Sequence, residues 1–404
     1  MKKIGLIPKL LGGIALGIAF GAFAPKFVVS LLATFNHIFG NFLGFVIPLI
    51  ILGFVVSGIA DLGAGAGKLL GITTGLAYFS TLVAGTFAYI VSVTVFKPIV
   101  AQTASLTADN PEHSLLPSLF ELAMPPLMGV MTALILAFLL GLGIATLKGK
   151  SETLYNISVE FQKIMEKTIS SVIVPLLPLH IMGIFANMTY AGEVTRILSV
   201  FWKVFLIVIA MHLIIIVVQF SIACMIGKKN LITTLKNQIP GYITAIGTQS
   251  SAATIPVNLQ CAEKNGVSKG IREFVVPLCA TIHLSGSTIT LNSCAMAVMM
   301  INDMSYTLPQ MIGFIAMLGV TMVAAPGVPG GAVMAALGIL QSMLGFSEAQ
   351  TALMIALYIT QDSFGTACNV SGDNAIAIIV DTLQGKNKKS NKVVEMEREA
   401  AITK

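Results

Sequence analysis

The sequence predicts an all-α integral membrane protein with eight transmembrane helices and two re-entrant helical hairpins. Three observations carry this. The 404-residue chain is 55% hydrophobic and only 10% charged, with a mean hydropathy of +0.89, whereas soluble domains carry about 25% charged residues. Charge-free stretches long enough to cross a bilayer, at about 20 residues each, recur along its length. Three short polar tracts (249 to 256, 325 to 332 and 362 to 373) then interrupt the apolar second half. At membrane depth such tracts are tolerated only when buried in protein or lining a wet cavity. They point to an enclosed small polar solute.

The elements follow in order. Ile4 to Ala24 is the first span; Ala22-Phe23-Ala24 mimics a cleavage site, but Pro25 follows at once, so the segment is read as uncleaved. Phe27 to Ala60 lacks charge and forms a tilted second helix. Leu69 to Phe96 is the third. A polar connection containing Asp109 and Glu112 precedes the fourth, Leu122 to Leu147, which Pro125 and Pro126 break near its start. An amphipathic stretch, Leu154 to Lys167, leads into the fifth, Thr168 to Gly192. Val204 to Gly227 is the sixth.

Asn237 to Ala262 holds the serine tract and two prolines, which argues against one straight helix. Phe274 to Asn302 is interrupted at His283 to Thr288. Met304 to Ser347 is uncharged and too long for one span, with Pro326, Gly327, Pro329, Gly330 and Gly331 at its middle, as in a helix, a turn and a returning helix. Ala349 to about Leu383 is the last span, and a Lys-rich tail follows. If both broken segments enter and leave on one side, the basic loops and both termini fall in the cytoplasm. Orientation thus explains the net charge of +6 better than nucleic acid does. The five cysteines (Cys224, Cys261, Cys279, Cys294, Cys368) lack Cys-x-x-Cys spacing and read as small buried hydrophobes.

The last span carries the strongest chemical signal. Asp362, Thr366, Asn369 and Asp373 are spaced i, i+4, i+7, i+11 and share one helix face. Oxygen-rich faces suit hard cations such as sodium, and an amide with a hydroxyl suits a zwitterionic solute; the plainer alternative is a polar seam between helices. Ser250 and Ser251 offer hydroxyls and free amides at a helical break, where partial positive charge attracts a carboxylate, although small-residue runs also serve packing. The Gly-Val-Pro-Gly-Gly tip forces a turn. His283 reads as a hydrogen-bonded structural histidine or a proton relay, with His37, His113, His180 and His212 weaker candidates.

Taken in order, Ser-Ser-Ala-Ala-Thr-Ile-Pro-Val-Asn, Ala-Thr-Ile-His-Leu-Ser-Gly-Ser, Gly-Val-Pro-Gly-Gly and Asp-x-x-x-Thr-x-x-Asn-Val-Ser-Gly-Asp resemble the dicarboxylate/amino acid:cation symporter family. The likeness spans the chain and is most specific over residues 245 to 381. It implies that Ser250 and Ser251 form the first hairpin tip and that Val328, Pro329 and Gly330 belong to the second, an extracellular gate. Asp362, Thr366 and Asn369 would bind the substrate's amino group and backbone, with Gly365 beside them. Asn369 and Asp373 would hold one sodium ion, and carbonyls near Thr281 and from Val323 to Ala325 another. Tyr78, Thr81, His283 and Ser285 fall at a third.

Two departures bear on specificity. Where relatives for acidic substrates carry arginine, this chain has Gly365 or Gln249. A buried side-chain carboxylate without a cation partner costs several kcal/mol, more than a neutral hydrogen bond returns. Serine, threonine or alanine therefore fits better than an acidic amino acid or C4-dicarboxylate. In place of Asn-Met-Asp-Gly-Thr the chain reads His-Leu-Ser-Gly-Ser, so the third site loses its carboxylate; fewer sodium ions, or a proton step at His283, would follow.

The resemblance also implies an elevator-type carrier with inverted repeats, a homotrimer in a cell membrane. Its scaffold would be residues 1–66 and 102–192. Its transport domain would be 67–101 and 193–385, with hairpins at about 231–266 and 304–347, and 386–404 would form a cytoplasmic tail. The partners are membrane lipid and an amino acid, with no organic cofactor. Rival readings are a channel and an intramembrane serine hydrolase using Ser250 or Ser251 with His283, which lacks a Gly-x-Ser-Gly type setting.

Overall fold

A computed structural model describes residues 6–62, 67–99, 115–147, 152–192, 194–322, 325 and 330–402, and among these residues there is no strand. Helix α1 (Leu6–Phe23) ends ahead of Pro25, which opens α2 (Lys26–Leu62); α3 (Gly67–Val91) runs into a π-helical turn at Ser92–Phe96. Helix α4 is Val130–Leu147. Helix α5 (Thr153–Thr168) joins α6 (Val174–Tyr190) through a second π turn, Ile169–Ile173. Helix α7 is Val194–Gly227. Among the described residues, five segments are long and apolar enough to cross a membrane: Lys26–Ser57, Leu69–Ile99, Thr153–Tyr190, Val200–Gly227 and Lys269–Ile301.

The second half is built from helix pairs with breaks between them. Helices α8 (Leu231–Thr248) and α9 (Ser251–Lys264) fold back on each other, since Asn237 donates to the Lys264 carbonyl at 3.2 Å and Asn265 to that of Thr234 at 3.3 Å. The turn is local chemistry. Gln249 adopts a left-handed φ of 54°, and Ser250 Oγ caps α9 by accepting from Ala253 N at 3.2 Å, a cap worth about 1 kcal/mol. Helices α10 (Lys269–Ile282) and α11 (Ser285–Ile301) are separated by His283 and Leu284 in non-helical conformations. Helices α12 (Leu308–Met322) and α13 (Gly331–Leu344) form the second antiparallel pair, tied at the base by Gln310 donating to the Met343 carbonyl at 2.9 Å. Helix α14 (Glu348–Ile402) closes the chain.

Two packing groups result. Helix α1 lies on α6, and α2 packs along α4, α5 and α6. In the other group α14 is central, touched by α7, α8, α9, α10, α11 and α13, while α3 rests on α11 and α12. Every residue from Ser285 to Met299 is buried. Close approach of α11 and α14 depends on Gly286, where a Cβ would collide with the Gly365 carbonyl and lie 2.6 Å from Cys368 Cβ; small residues allow such backbone proximity. The groups meet where α13 contacts α2 and α4, and where α14 contacts α6.

Several boundaries differ from expectation. Helix α4 begins at Val130, not Leu122, because Pro125 and Pro126 remove donors and hold the chain extended through Gly129. Helix α7 begins ten residues before Val204, whereas the amphipathic stretch runs into the fifth span as expected. Helix α14 runs on to Ile402, past Leu383. Pro240 and Pro256 lie inside α8 and α9, so the bend between them belongs to Gln249 and Ser250, not to proline.

Candidate functional site

The breaks converge on one face of α14. At the first position of that face, Asp362 Oδ2 accepts from Gly330 N at 2.7 Å, and Oδ1 accepts from the Thr366 hydroxyl at a long 3.4 Å. Gly330 has φ 75°, a conformation that glycine adopts without strain. The left-handed backbone turns its amide onto a buried carboxylate, joining the second hairpin to α14.

One turn further on, Asn369 solves a capping problem. Leu284, at the N-cap of α11, has no side-chain acceptor to offer, so the first amides of α11 need one from elsewhere. Asn369 Oδ1 supplies it, accepting from Gly286 N at 2.8 Å and Ser287 N at 3.2 Å, while its Nδ2 donates to Ser287 Oγ at 2.9 Å. The Tyr358 hydroxyl donates to the same Ser287 Oγ at 2.9 Å.

The third position is Asp373. Its Oδ1 lies 3.0 Å from His283 Nδ1; His283 Nε2 is 3.0 Å from Ser80 Oγ, and Gln219 Nε2 donates to Ser80 Oγ at 2.9 Å and to Ser285 Oγ at 3.2 Å. A neutral imidazole protonated at Nδ1 satisfies the whole chain: it donates to Asp373 and accepts from Ser80. Asp373 Oδ2, fully buried, has no partner among the described residues, nor has Gln219 Oε1. With the ring neutral, a charged Asp373 would have no cationic partner among the described residues, which suits a bound cation. The ring fits because Gly372 lacks a side chain; a Cβ there would overlap His283 Cε1 and sit 2.8 Å from Gln219 Oε1.

The other expected residues fall as follows. Ser251 is buried at the start of α9. Gln249 Nε2 donates to Ser363 Oγ at 2.9 Å, which joins the first hairpin tip to α14. A Cβ at Gly365 would make ordinary contacts with Thr290 Oγ1 at 3.5 Å and Ser287 N at 3.6 Å. Tyr78 donates to the Ala316 carbonyl at 3.2 Å on α12, Thr81 to Ala77 at 2.9 Å and Thr281 to Leu278 at 2.8 Å. Ala325 N donates to Met322 O at 3.3 Å. Val323, Val328 and Pro329 lie outside the described residues.

Sequence reasoning missed Tyr358, Ser287, Ser80 and Gln219. Each is a single polar residue in an apolar helix, and only the fold places them beside the α14 face. Ser80, His283 and Asp373 share the connectivity of a hydrolase triad, but the expected nucleophile Ser250 caps α9. A separate cavity of 190 Å³ lies between α2, α6, residues 115–118 and the start of α14, with Asn36, His37, His180 and Glu348 in its wall; it is not part of the α14 face.

A family model described as the sodium:dicarboxylate symporter family matches residues 6–383. The chain is 27% identical over 342 residues to a serine/threonine transporter of Streptococcus suis, covering 82% of this chain and 94% of that protein. It is 26% identical over 405 residues to a serine/threonine transporter of Acinetobacter baumannii, covering 96% and 98%. With excitatory amino acid transporter 3 of Oryctolagus cuniculus it shares 29% over 263 residues, 64% of this chain and 49% of that one.

Proposed function

This chain belongs to the sodium:dicarboxylate symporter family, and on that premise we propose that it takes up a small neutral amino acid of the serine, threonine or alanine type together with sodium. A member of a symporter family is a transporter, not an enzyme. The observation that carries the substrate class is the charge of the site. Two buried carboxylates, Asp362 and Asp373, stand on one face of α14, and no Lys or Arg occurs in residues 237–263 or 273–385. Those stretches form both hairpin tips, the α10–α11 break and the α14 face. A substrate ammonium has a carboxylate to meet; a substrate side-chain carboxylate has no cation. The near full-length serine/threonine transporter relatives support the same class.

In this reading Asp362 and Thr366 receive the amino group, and the amides at Ser250 and Ser251, with the tip at Val328, Pro329 and Gly330, receive the α-carboxylate. Asp373 and Asn369 hold one sodium ion, and the carbonyls near Thr281 and from Val323 to Ala325 hold another. The chain crosses a cell membrane eight times, with the α8–α9 and α12–α13 pairs as re-entrant hairpins and both termini cytoplasmic. Residues 67–101 and 193–385 move as an elevator against a scaffold of 1–66 and 102–192 within a homotrimer. The separation of the helices into two packing groups supports that division. Substrate and ion stabilise the same closed gate, which couples them reciprocally.

Uptake into proteoliposomes is the test. Labelled serine, threonine or alanine should accumulate with an inward sodium gradient and stop when choline replaces sodium. Asp362→Asn should weaken substrate binding while leaving sodium binding intact. Preferential accumulation of aspartate would overturn the substrate class. The bond between His283 and Asp373 favours one alternative for coupling, a proton in place of a sodium ion, which predicts uptake driven by a pH gradient in sodium-free medium.

A further inference from the structure

We propose that Tyr358 is a positioning residue of the amino-group pocket, holding Asp362 on target by anchoring α14 to Ser287 in the first turn of α11. This rests on the assignment of Asp362 to the substrate amine. Tyr358 lies one helical turn before Asp362, so the two side chains share a face. It is entirely buried and among the largest such side chains in the protein. Its hydroxyl donates its single proton to Ser287 Oγ at 2.9 Å.

Ser287 is itself fixed. It accepts from Asn369 Nδ2, and its backbone amide donates to Asn369 Oδ1. Tyr358 and Asn369 therefore tie α14 to one turn of α11 on either side of Asp362. Asp362 has one firm donor, Gly330 N, and one long contact, Thr366. Gly330 belongs to the hairpin that must open to admit substrate. When it withdraws, the carboxylate keeps, among the described residues, only the long Thr366 contact within its own helix. The Tyr358 anchor one turn away ties this segment of α14 to a second helix. A neutral phenol also leaves the pocket with a single negative charge beside the amine, which matches a substrate carrying one ammonium and an uncharged side chain.

Tyr358→Phe keeps the ring and deletes the hydroxyl. The expected result in proteoliposomes is a rise of about tenfold in KM for the transported amino acid, equivalent to about 1.4 kcal/mol. Maximal rate and the sodium concentration for half-saturation should stay within about twofold. The variant should also lose discrimination between the amino acid and its N-methyl analogue, which a purely structural defect would not produce. Ser287→Ala removes the anchor without touching the ring and should reproduce the rise in KM and the lost amine discrimination, while its sodium dependence also shifts because Asn369 loses the Ser287 Oγ acceptor. If either variant folds poorly, thermal shift by substrate in detergent reads the same affinity change on the folded fraction of the other. An unchanged KM and unchanged amine discrimination in both variants, while Asp362→Asn weakens binding, would overturn this proposal alone. Normal affinity in Asp362→Asn would instead remove the amine assignment beneath it.

Discussion

Asp373 concentrates the energetics of the site at one residue. One oxygen lies against the imidazole Nδ1, and the other, buried, has no partner among the described residues. Leaving a buried charge uncompensated costs several kcal/mol, so occupancy by sodium should stabilise the folded protein in proportion to ln(1 + [Na+]/Kd). Asp373→Asn removes the charge and keeps the shape. Its melting temperature should rise much less with sodium, and uptake should need much more of it; an unaltered sodium dependence would take Asp373 out of the ion site. Gly372→Ala tests the neighbouring constraint, because its methyl would displace the His283 ring. Overpacking of this kind costs about 1–3 kcal/mol, and the melting temperature should fall with the sodium response blunted. A melting temperature equal to that of the unsubstituted protein would mean that the ring has room. The i, i+4, i+7, i+11 stripe was legible because helix geometry alone puts four residues on a face. Its partners were not: Ser80 lies 203 residues from His283 and Tyr358 71 from Ser287, and spacing carries no information over such distances.

At the scale of elements, the helix pairs were legible from glycine, proline and the distribution of lysine, and their breaks fall where Gln249, His283 and Gly330 leave helical backbone. The proline break ahead of α4 and the run of α5 into α6 were legible as well, but not the delay of α4 to Val130 or the π turn at Ile169–Ile173, which hydropathy does not sense. What holds the first pair to α14 was equally hidden. Gln238 donates to Asn258 Oδ1 at 3.0 Å, Asn374 donates to the same oxygen at 2.9 Å, and Asn258 donates to the Val370 carbonyl at 2.9 Å; all three side chains are buried. A buried amide network is worth most when every member is satisfied, and removing one exposes the rest to a desolvation penalty of about 1–3 kcal/mol each. Asn374→Ala should therefore speed amide hydrogen exchange across residues 231–264 by one to two orders of magnitude, with residues 308–344 unaffected. Equal protection of the two pairs would show that apolar packing alone seats the first.

For the whole molecule, the decisive relation is between the group built on α2 and the group built on α14. Besides the contacts of α13 with α2 and α4 and of α14 with α6, one polar contact joins them: His37 Nδ1 on α2 lies 3.2 Å from Glu348 Oε2 at the start of α14, with both side chains partly exposed. An ion pair this exposed contributes about 0–1 kcal/mol, so it can mark one position of the moving group without holding it there. If transport requires α14 and both helix pairs to slide past α2, then joining these positions covalently must stop it. In a His37→Cys, Glu348→Cys variant the engineered pair is the reactive one, because all five native cysteines are buried. Treatment with a short, reducible bis-maleimide should abolish uptake, and cleaving the linker should restore it. Each single cysteine variant, treated alike, should transport normally. Substrate should still raise the melting temperature of the cross-linked protein, which separates an arrested carrier from a damaged one. Undiminished uptake with the linker intact would mean that α2 and the head of α14 never part, and the sliding motion would have to be abandoned for a gate that opens within a fixed frame.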